Sequence, residues 1–187
     1  NPYRVISSGT DVNVLSSNHP ARKNPSLLIE NKGGMYYNPD LQEVKNHISD
    51  TIAEIVSNYN VDGITFDDYF YPSGGTVESS SAPDYTLWQN SGTSLSIGDW
   101  RRENVDKTVA SIYNMIQEIR PEVRLVAGPS PLAGASASKY GVTMWPKGYD
   151  NQYNTLYSDP LSWMDKRIVD MMATQIYWHR DHTMAPY

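Results

Sequence analysis

Between Pro39 and Asn58 the apolar residues Leu41, Val44, Ile48, Ile52, Ile55 and Val56 return at steps of three and four, one stripe along a helical period. This spacing predicts a helix capped by Asn38, with Pro39 in its first position. A second stripe, Val105, Val109, Ile112, Ile116 and Ile119, predicts a helix over 97–119 that Ser96 caps and Pro121 stops. A shorter one over 161–167 starts behind Ser158 or Asp159, with Pro160 at its head. Between the stripes the pattern changes to short β-branched and aromatic runs: Val61 to Tyr71, ended by Pro72, then Arg124 to Ala127, then Met171 to Trp178. Asn1 to Ile6 offers one strand more. Helices and strands in alternation read as βαβ units around a parallel sheet.

In such a sheet ligands bind beyond the carboxyl ends of the strands. The two long connections predicted here, 73–96 and 128–157, leave from those ends, and connections of that length usually carry function. Asp67, Asp68, Ser130, Gln175, Tyr177 and Trp178 all fall there. Two adjacent carboxylates closing an apolar strand are costly unless they are paired or used. Side chains alternate along a strand, so Thr65 and Asp67 share one side and Ile64, Phe66 and Asp68 the other. The polar side is the one expected to line a barrel mouth, which makes Asp67 the first candidate for a catalytic carboxylate and Asp68 the second. The plainer reading is that both aspartates bind backbone amides of the following loop. Gln175 and Tyr177 alternate to one side of the last strand and are candidates for hydrogen bonds to a sugar.

Composition sharpens this picture. The chain holds 14 tyrosines and 5 tryptophans against 2 phenylalanines, a preference for aromatic rings with a polar handle that suits glycan stacking. Trp145, Tyr149 and Trp178 are the stacking candidates, and Arg101, beside Trp100 at the head of the second helix, is a candidate organiser of the site. A net charge of −6, with 15 scattered Lys and Arg residues, argues against a nucleic-acid partner. No apolar run is long enough to span a membrane. The absence of cysteine removes disulfides and thiolate chemistry. His179 and His182 flank Asp181 without a clear third ligand, so neither a metal nor another cofactor is expected.

Five motifs then carry a resemblance: Asn1-Pro-Tyr-Arg-Val5, Tyr37-Asn-Pro-Asp40, Val61-Asp-Gly-Ile-Thr-Phe-Asp-Asp-Tyr-Phe-Tyr-Pro72, Asp99-Trp-Arg-Arg-Glu-Asn-Val105 and Gln175-Ile-Tyr-Trp178. Together, in this order, they resemble the bacterial glycosyl-hydrolase-like family ten. The resemblance implies a (β/α)₈ TIM barrel of which residues 1–187 form about the middle half, incomplete at both ends. It also implies an envelope-associated or exported enzyme that hydrolyses glycan strands, including peptidoglycan stripped of its peptides. The Asp67–Asp68 pair then stands at the mouth after the fourth barrel strand. Asn1 and Tyr69 join Trp145, Gln175, Tyr177, Trp178 and Arg101 as substrate-binding candidates. A more distant similarity to chitinases aligns Asp62, Gly63 and Asp67 with the motif of that family. Thr65 replaces one of its aspartates, and Tyr69 stands where its general acid stands, so the acid here falls to Asp67 or Asp68.

Three functions follow in order of preference: a glycosidase, a non-catalytic carbohydrate-binding barrel, and a metal-dependent hydrolase on Asp62, Asp67 and His179. Asp62 belongs to the far end of its strand, which disfavours the last. A partial barrel exposes strand edges and apolar surface. The segment is therefore expected to self-associate through those edges in analytical ultracentrifugation, and a monodisperse, cooperatively melting monomer is the contrary result.

Overall fold

The computed structural model describes residues 2–67, 70–72, 78–141 and 152–181, the side chains of 135 and 136 excepted. It contains two three-stranded sheets. The first is antiparallel, with β1 (Arg4–Ile6), β2 (Leu28–Asn31) and β3 (Gly34–Tyr37) in the order β1-β3-β2. Lys32 and Gly33 both lie in the left-handed region, with φ 49° and 73°, and form the two-residue turn of a tight hairpin between β2 and β3. Here the structure corrects the sequence reading. The amino-terminal strand pairs antiparallel, Arg4 opposite Tyr36, because the hairpin offers it an edge, and it takes no place in the parallel sheet. A short helix, α1 (Pro20–Lys23), lies between β1 and β2, with His19 Nδ1 accepting from the Ala21 amide at 3.2 Å.

Helix α2 (Gln42–Asn58) follows its stripe, burying Val44, Ile48, Ile52 and Val56, yet begins three residues later than predicted. Asn38 is the reason: its Oδ1 accepts from the Asp40 amide at 3.0 Å, closing a turn of its own instead of capping the helix.

The second sheet is parallel: β4 (Gly63–Asp67), β5 (Arg124–Gly128) and β6 (Met171–Met172), in that order. Its connections hold α3 (Tyr85–Asn90), within a stretch read as loop, then α4 (Ile97–Ile119) and α5 (Pro160–Lys166). Ser96 Oγ accepts from the Asp99 amide at 3.1 Å, and Asp159 Oδ1 from the Ser162 amide at 3.2 Å, so both helices start where their caps dictate. The regular part of β6 is shorter than the predicted run to Trp178. Its backbone still follows β5: the Ala173 amide donates to Ala127 at 2.8 Å and the Gln175 amide to Pro129 at 3.0 Å.

Alternation divides the parallel sheet into two faces. Phe66, Leu125 and Ala127 are buried in one core with Val44, Ile48, Ile52 and Val56 of α2 and Val105, Val109, Ile112 and Ile116 of α4. On the other face Thr65, Val126 and Met171 stand in register; Thr65 is exposed and Met171 is 57 % exposed. The fold is thus mixed α/β with a parallel sheet, and its three described parallel strands do not close into a barrel. Trp163 of α5 seals one end of the core. It is fully buried, meets Phe70 edge-on at 4.7 Å between ring centroids, and donates its Nε1–H to Asp106 Oδ1 at 2.6 Å.

Ile112 has no exposed surface. Truncation there leaves a void between α4 and the sheet, so Ile112→Ala is expected to cost about 2–5 kcal/mol in chemical denaturation. Met164→Ala on the exposed side of α5 is the matched control, expected to stay within about 0.5 kcal/mol of wild type.

Candidate active site

Asp67 is the last residue of β4 and points to the uncovered face, where it is exposed. Its register partner on β5 is Gly128, whose carbonyl lies beside the carboxylate. Gln175, carried past the end of β6 by the continuing ladder, reaches back over that glycine. Its Nε2 donates to Asp67 Oδ1 at 2.7 Å and to the Gly128 carbonyl at 2.8 Å. Both amide hydrogens are then committed, one to the carboxylate and one to the sheet backbone, which fixes the Asp67 rotamer to the scaffold. Gly128 is needed for this approach: a Cβ there would meet Asp67 Oδ1 at 3.0 Å. Three strand ends thus supply one anchored carboxylate on an open face.

Beyond Gln175 the chain presents Tyr177 and Trp178, 74 % and 40 % exposed, their ring centroids 6.3 Å apart at 59°. Ile176, just ahead of them, is also exposed. Two flat aromatic surfaces therefore follow the anchored carboxylate along one segment. Ser130 uses its Oγ to accept from the Leu132 amide at 3.4 Å, within the loop after β5. Asp62 sits just ahead of β4, at the end of the strand away from Asp67. His179 accepts from the Asp181 amide through Nδ1 at 3.2 Å. Asp68, Tyr69, Trp145, Tyr149, Asn1 and His182 lie outside the described residues.

Arg101 requires a correction. Expected at the substrate, it has no exposed side-chain surface and is held in a bidentate pair, Nε to Asp84 Oδ2 and Nη2 to Asp84 Oδ1, both at 2.6 Å. A guanidinium is buried only where a carboxylate matches its fork, and Asp84, at the head of α3, is that match. Rings enclose the pair: the Arg101 Cζ lies 4.7 Å from the Tyr157 centroid and 5.5 Å from that of Tyr71. Tyr157 takes a left-handed backbone, φ 45°, to do so. Burial works against the Arg101 charge, and the bonds from Asp84 more than compensate, so the guanidinium stays protonated throughout the accessible pH range.

The same pair continues into groups that the sequence reading passed over. The Tyr71 hydroxyl, four residues beyond Asp67, lies within hydrogen-bond reach of Asp84 Oδ2 and, at 2.7 Å, of Asp40 Oδ2. Asn104 of α4 donates to Asp40 Oδ1 at 2.9 Å and accepts from Lys45 Nζ at 2.7 Å. Asp40, Asp84, Arg101 and Asn104 are all buried, beneath the end of β4. Burial, reinforced by the Asp84 charge, pushes the Asp40 carboxyl up to about 7. Burial likewise holds the Tyr71 phenol far above its usual range, and both aspartates add to this. Asp40 and Tyr71 stand inside two of the motifs quoted above, and Arg101 in a third. The signal was available as three motifs converging on one buried point.

The chain is 33% identical over 189 residues to the glycosyl hydrolase YngK of Bacillus subtilis (strain 168), covering all of this chain and 36% of that protein. It is 30% identical over 199 residues to the glycosyl hydrolase DigH of Escherichia coli (strain K12), and 31% to DigH of strain CFT073, covering all of this chain and 44% of each. The chain thus spans less than half the length of these curated relatives. The model of one family, described as Glycosyl hydrolase-like 10, matches residues 3–187, and the chain belongs to that family.

Proposed function

We propose that this chain supplies the central catalytic elements of a glycoside hydrolase acting on a polysaccharide, with peptidoglycan glycan strands or another N-acetylhexosamine polymer as the substrate. The observation that carries the reading is the anchored Asp67: an exposed carboxylate at the carboxyl end of a parallel strand, fixed by Gln175 and followed by the exposed rings of Tyr177 and Trp178. Ring faces of this kind stack on the C–H surfaces of pyranoses, and the carboxyl group stands where a bond of the bound chain would cross the sheet end.

In this reading Asp67 acts as the general acid. It gives its proton to the glycosidic oxygen as the bond from that oxygen to the anomeric carbon breaks, and the oxocarbenium-like centre is trapped on its other side. Two trapping groups fit the chemistry. A second carboxylate, for which Asp68 is the neighbouring candidate, acts as nucleophile or as base for a water. Where the sugar carries an acetamido group, the carbonyl oxygen of the substrate attacks the anomeric carbon itself, with Tyr177 and Asp67 orienting it, and Asp68 then gives the proton to the leaving oxygen. Gln175 holds the acid in place and Trp178 grips a neighbouring sugar. Work on such a polymer goes with a place in the cell envelope or outside the cell, and it calls for no cofactor.

Asp67→Asn keeps the size and the bond to Gln175 but removes the transferable proton. It is expected to lower release of reducing ends from peptide-free peptidoglycan strands and chitin oligosaccharides by about 10²–10⁴-fold, with glycan binding retained. Equal release by both proteins moves the acid elsewhere. Binding without release by wild type would point to the carbohydrate-binding reading, in which Asp67 merely accepts a sugar hydroxyl.

A further inference from the structure

The Asp40–Tyr71–Asp84 arrangement has fewer hydrogens than its contacts require if both acids are ionised. A phenol owns one hydrogen, and the Tyr71 oxygen faces a carboxylate oxygen on each side. Given to Asp84, that hydrogen leaves Tyr71 and Asp40 as two oxygens 2.7 Å apart with nothing between them. Given to Asp40, it leaves the same deficit on the other side. One more proton resolves the chain, and Asp40 is its place. Asp84 is already charge-matched by both arms of Arg101, whereas the Oδ1 of Asp40 receives only a neutral amide hydrogen, from Asn104. The order is then Asp40 O–H to Tyr71 and Tyr71 O–H to Asp84, which also accepts from Arg101.

We propose that this proton on Asp40 latches the end of β4 in its working position, so that its loss as pH rises toward neutrality loosens Phe70–Pro72, misplaces Asp67 and lowers glycan cleavage. The latch spans the chain from Asp40, two residues before α2, to the head of α3 and on to α4, and Tyr71 is its middle link. Asp40, Tyr71 and Asp84 are positioning residues here, none touching substrate. The charged and titratable groups around the pair come from every neighbouring element: Tyr3 ahead of β1, Lys45 on α2, Asp84 and Arg101, with Glu78 and Tyr157 behind the guanidinium. Lys45 turns its ammonium to Asn104, and among the described residues no cation bonds Asp40 directly. The Asp40 carboxyl, raised to about 7, is the member that changes charge near neutrality.

The sign follows from linkage. Closed, the site keeps the Asp40 proton up to about pH 7; opened to water, the carboxyl loses it near its ordinary value of about 4. The closed form therefore binds more protons between those values, and the opening constant rises as pH rises, by at most about tenfold per pH unit, then levels off above 7.

The experiment is hydrogen exchange on the purified protein between pH 4.5 and 8.5, corrected for intrinsic rates and read over 63–67, 70–72 and 78–84, beside a pH profile of glycan cleavage. In Asp40→Asn the amide donates to Tyr71 and accepts from Asn104 at every pH, mimicking the latched form. Wild type is expected to lose protection and cleavage together as pH rises toward about 7 and to change little above it, while Asp40→Asn shows flat exchange and keeps its cleavage across the range. Exchange that follows the same course in both proteins overturns the latch. A fall in cleavage toward pH 7 that is identical in both overturns its coupling to the site. The activity arm rests on the glycosidase reading, whereas the exchange arm does not: the expected exchange with no cleavage of either glycan supports the latch and counts against that reading alone. Should Asp40→Asn fail to fold, infrared difference spectra of wild type between pH 5 and 9 replace it. A protonated aspartate that disappears with the cleavage supports the latch, and the absence of one above pH 5 overturns it.

Discussion

A guanidinium with no exposed surface organises this molecule. Arg101 lies on the buried side of α4, so its charge has to be met by a carboxylate that presents two oxygens to its fork, and that carboxylate has to be immobile. Asp84 meets both conditions at the head of α3. Once the pair is set, the rings of Tyr71 and Tyr157 close over it, and the Tyr71 hydroxyl brings in Asp40. Segments distant in sequence are tied at one point: the approach to α2, the end of β4, the start of α3, the first turns of α4 and the turn ahead of α5. Breaking one partner strands the other in an apolar surround, so the region holds together as a unit.

The parallel sheet divides labour between its faces. Toward the helices it presents Phe66, Leu125 and Ala127 and takes its stability from them. Away from the helices it presents Thr65, Asp67 and Gly128 in register with the neighbouring strands, and chemistry sits there because it costs the core nothing. Gln175 belongs to the second side as well, delivered by a backbone that keeps pairing with β5 after regular geometry has ended. The carboxylate is therefore tied to the sheet through Gln175, although it stands at a loop boundary.

The local pattern of the chain was enough for whatever depends on neighbours three or four residues away. Helix α4 was legible at both ends, because the Ser96 cap and Pro121 flank an unbroken stripe. The parity of β4 placed Asp67 and Phe66 on opposite sides, as found. The start of α2 was not legible, since the Asn38 side chain had two backbone partners to choose from and took the nearer turn. The β2–β3 hairpin escaped because its turn residues, Lys32-Gly33, lack the usual Asn-Gly signature. Arg101 was misjudged for a different reason. Whether an arginine near a long loop faces solvent or an aspartate depends on Asp84, 17 positions away, and no periodicity encodes that distance.

Gly128 sets a limit on how this scaffold can be redesigned. With Asp67 Oδ1 at 3.0 Å and the Ala173 carbonyl at 3.5 Å from where its Cβ would lie, a side chain there would press on the Asp67 carboxylate, and the position borders the face on which any bound polymer would rest. Libraries that diversify the strand ends to alter specificity will find residues 176–178 permissive toward new shapes and residues 128 and 175 constrained. The route to a different substrate runs through the aromatic segment, while the centre of the sheet stays a fixed datum against which every variant is built.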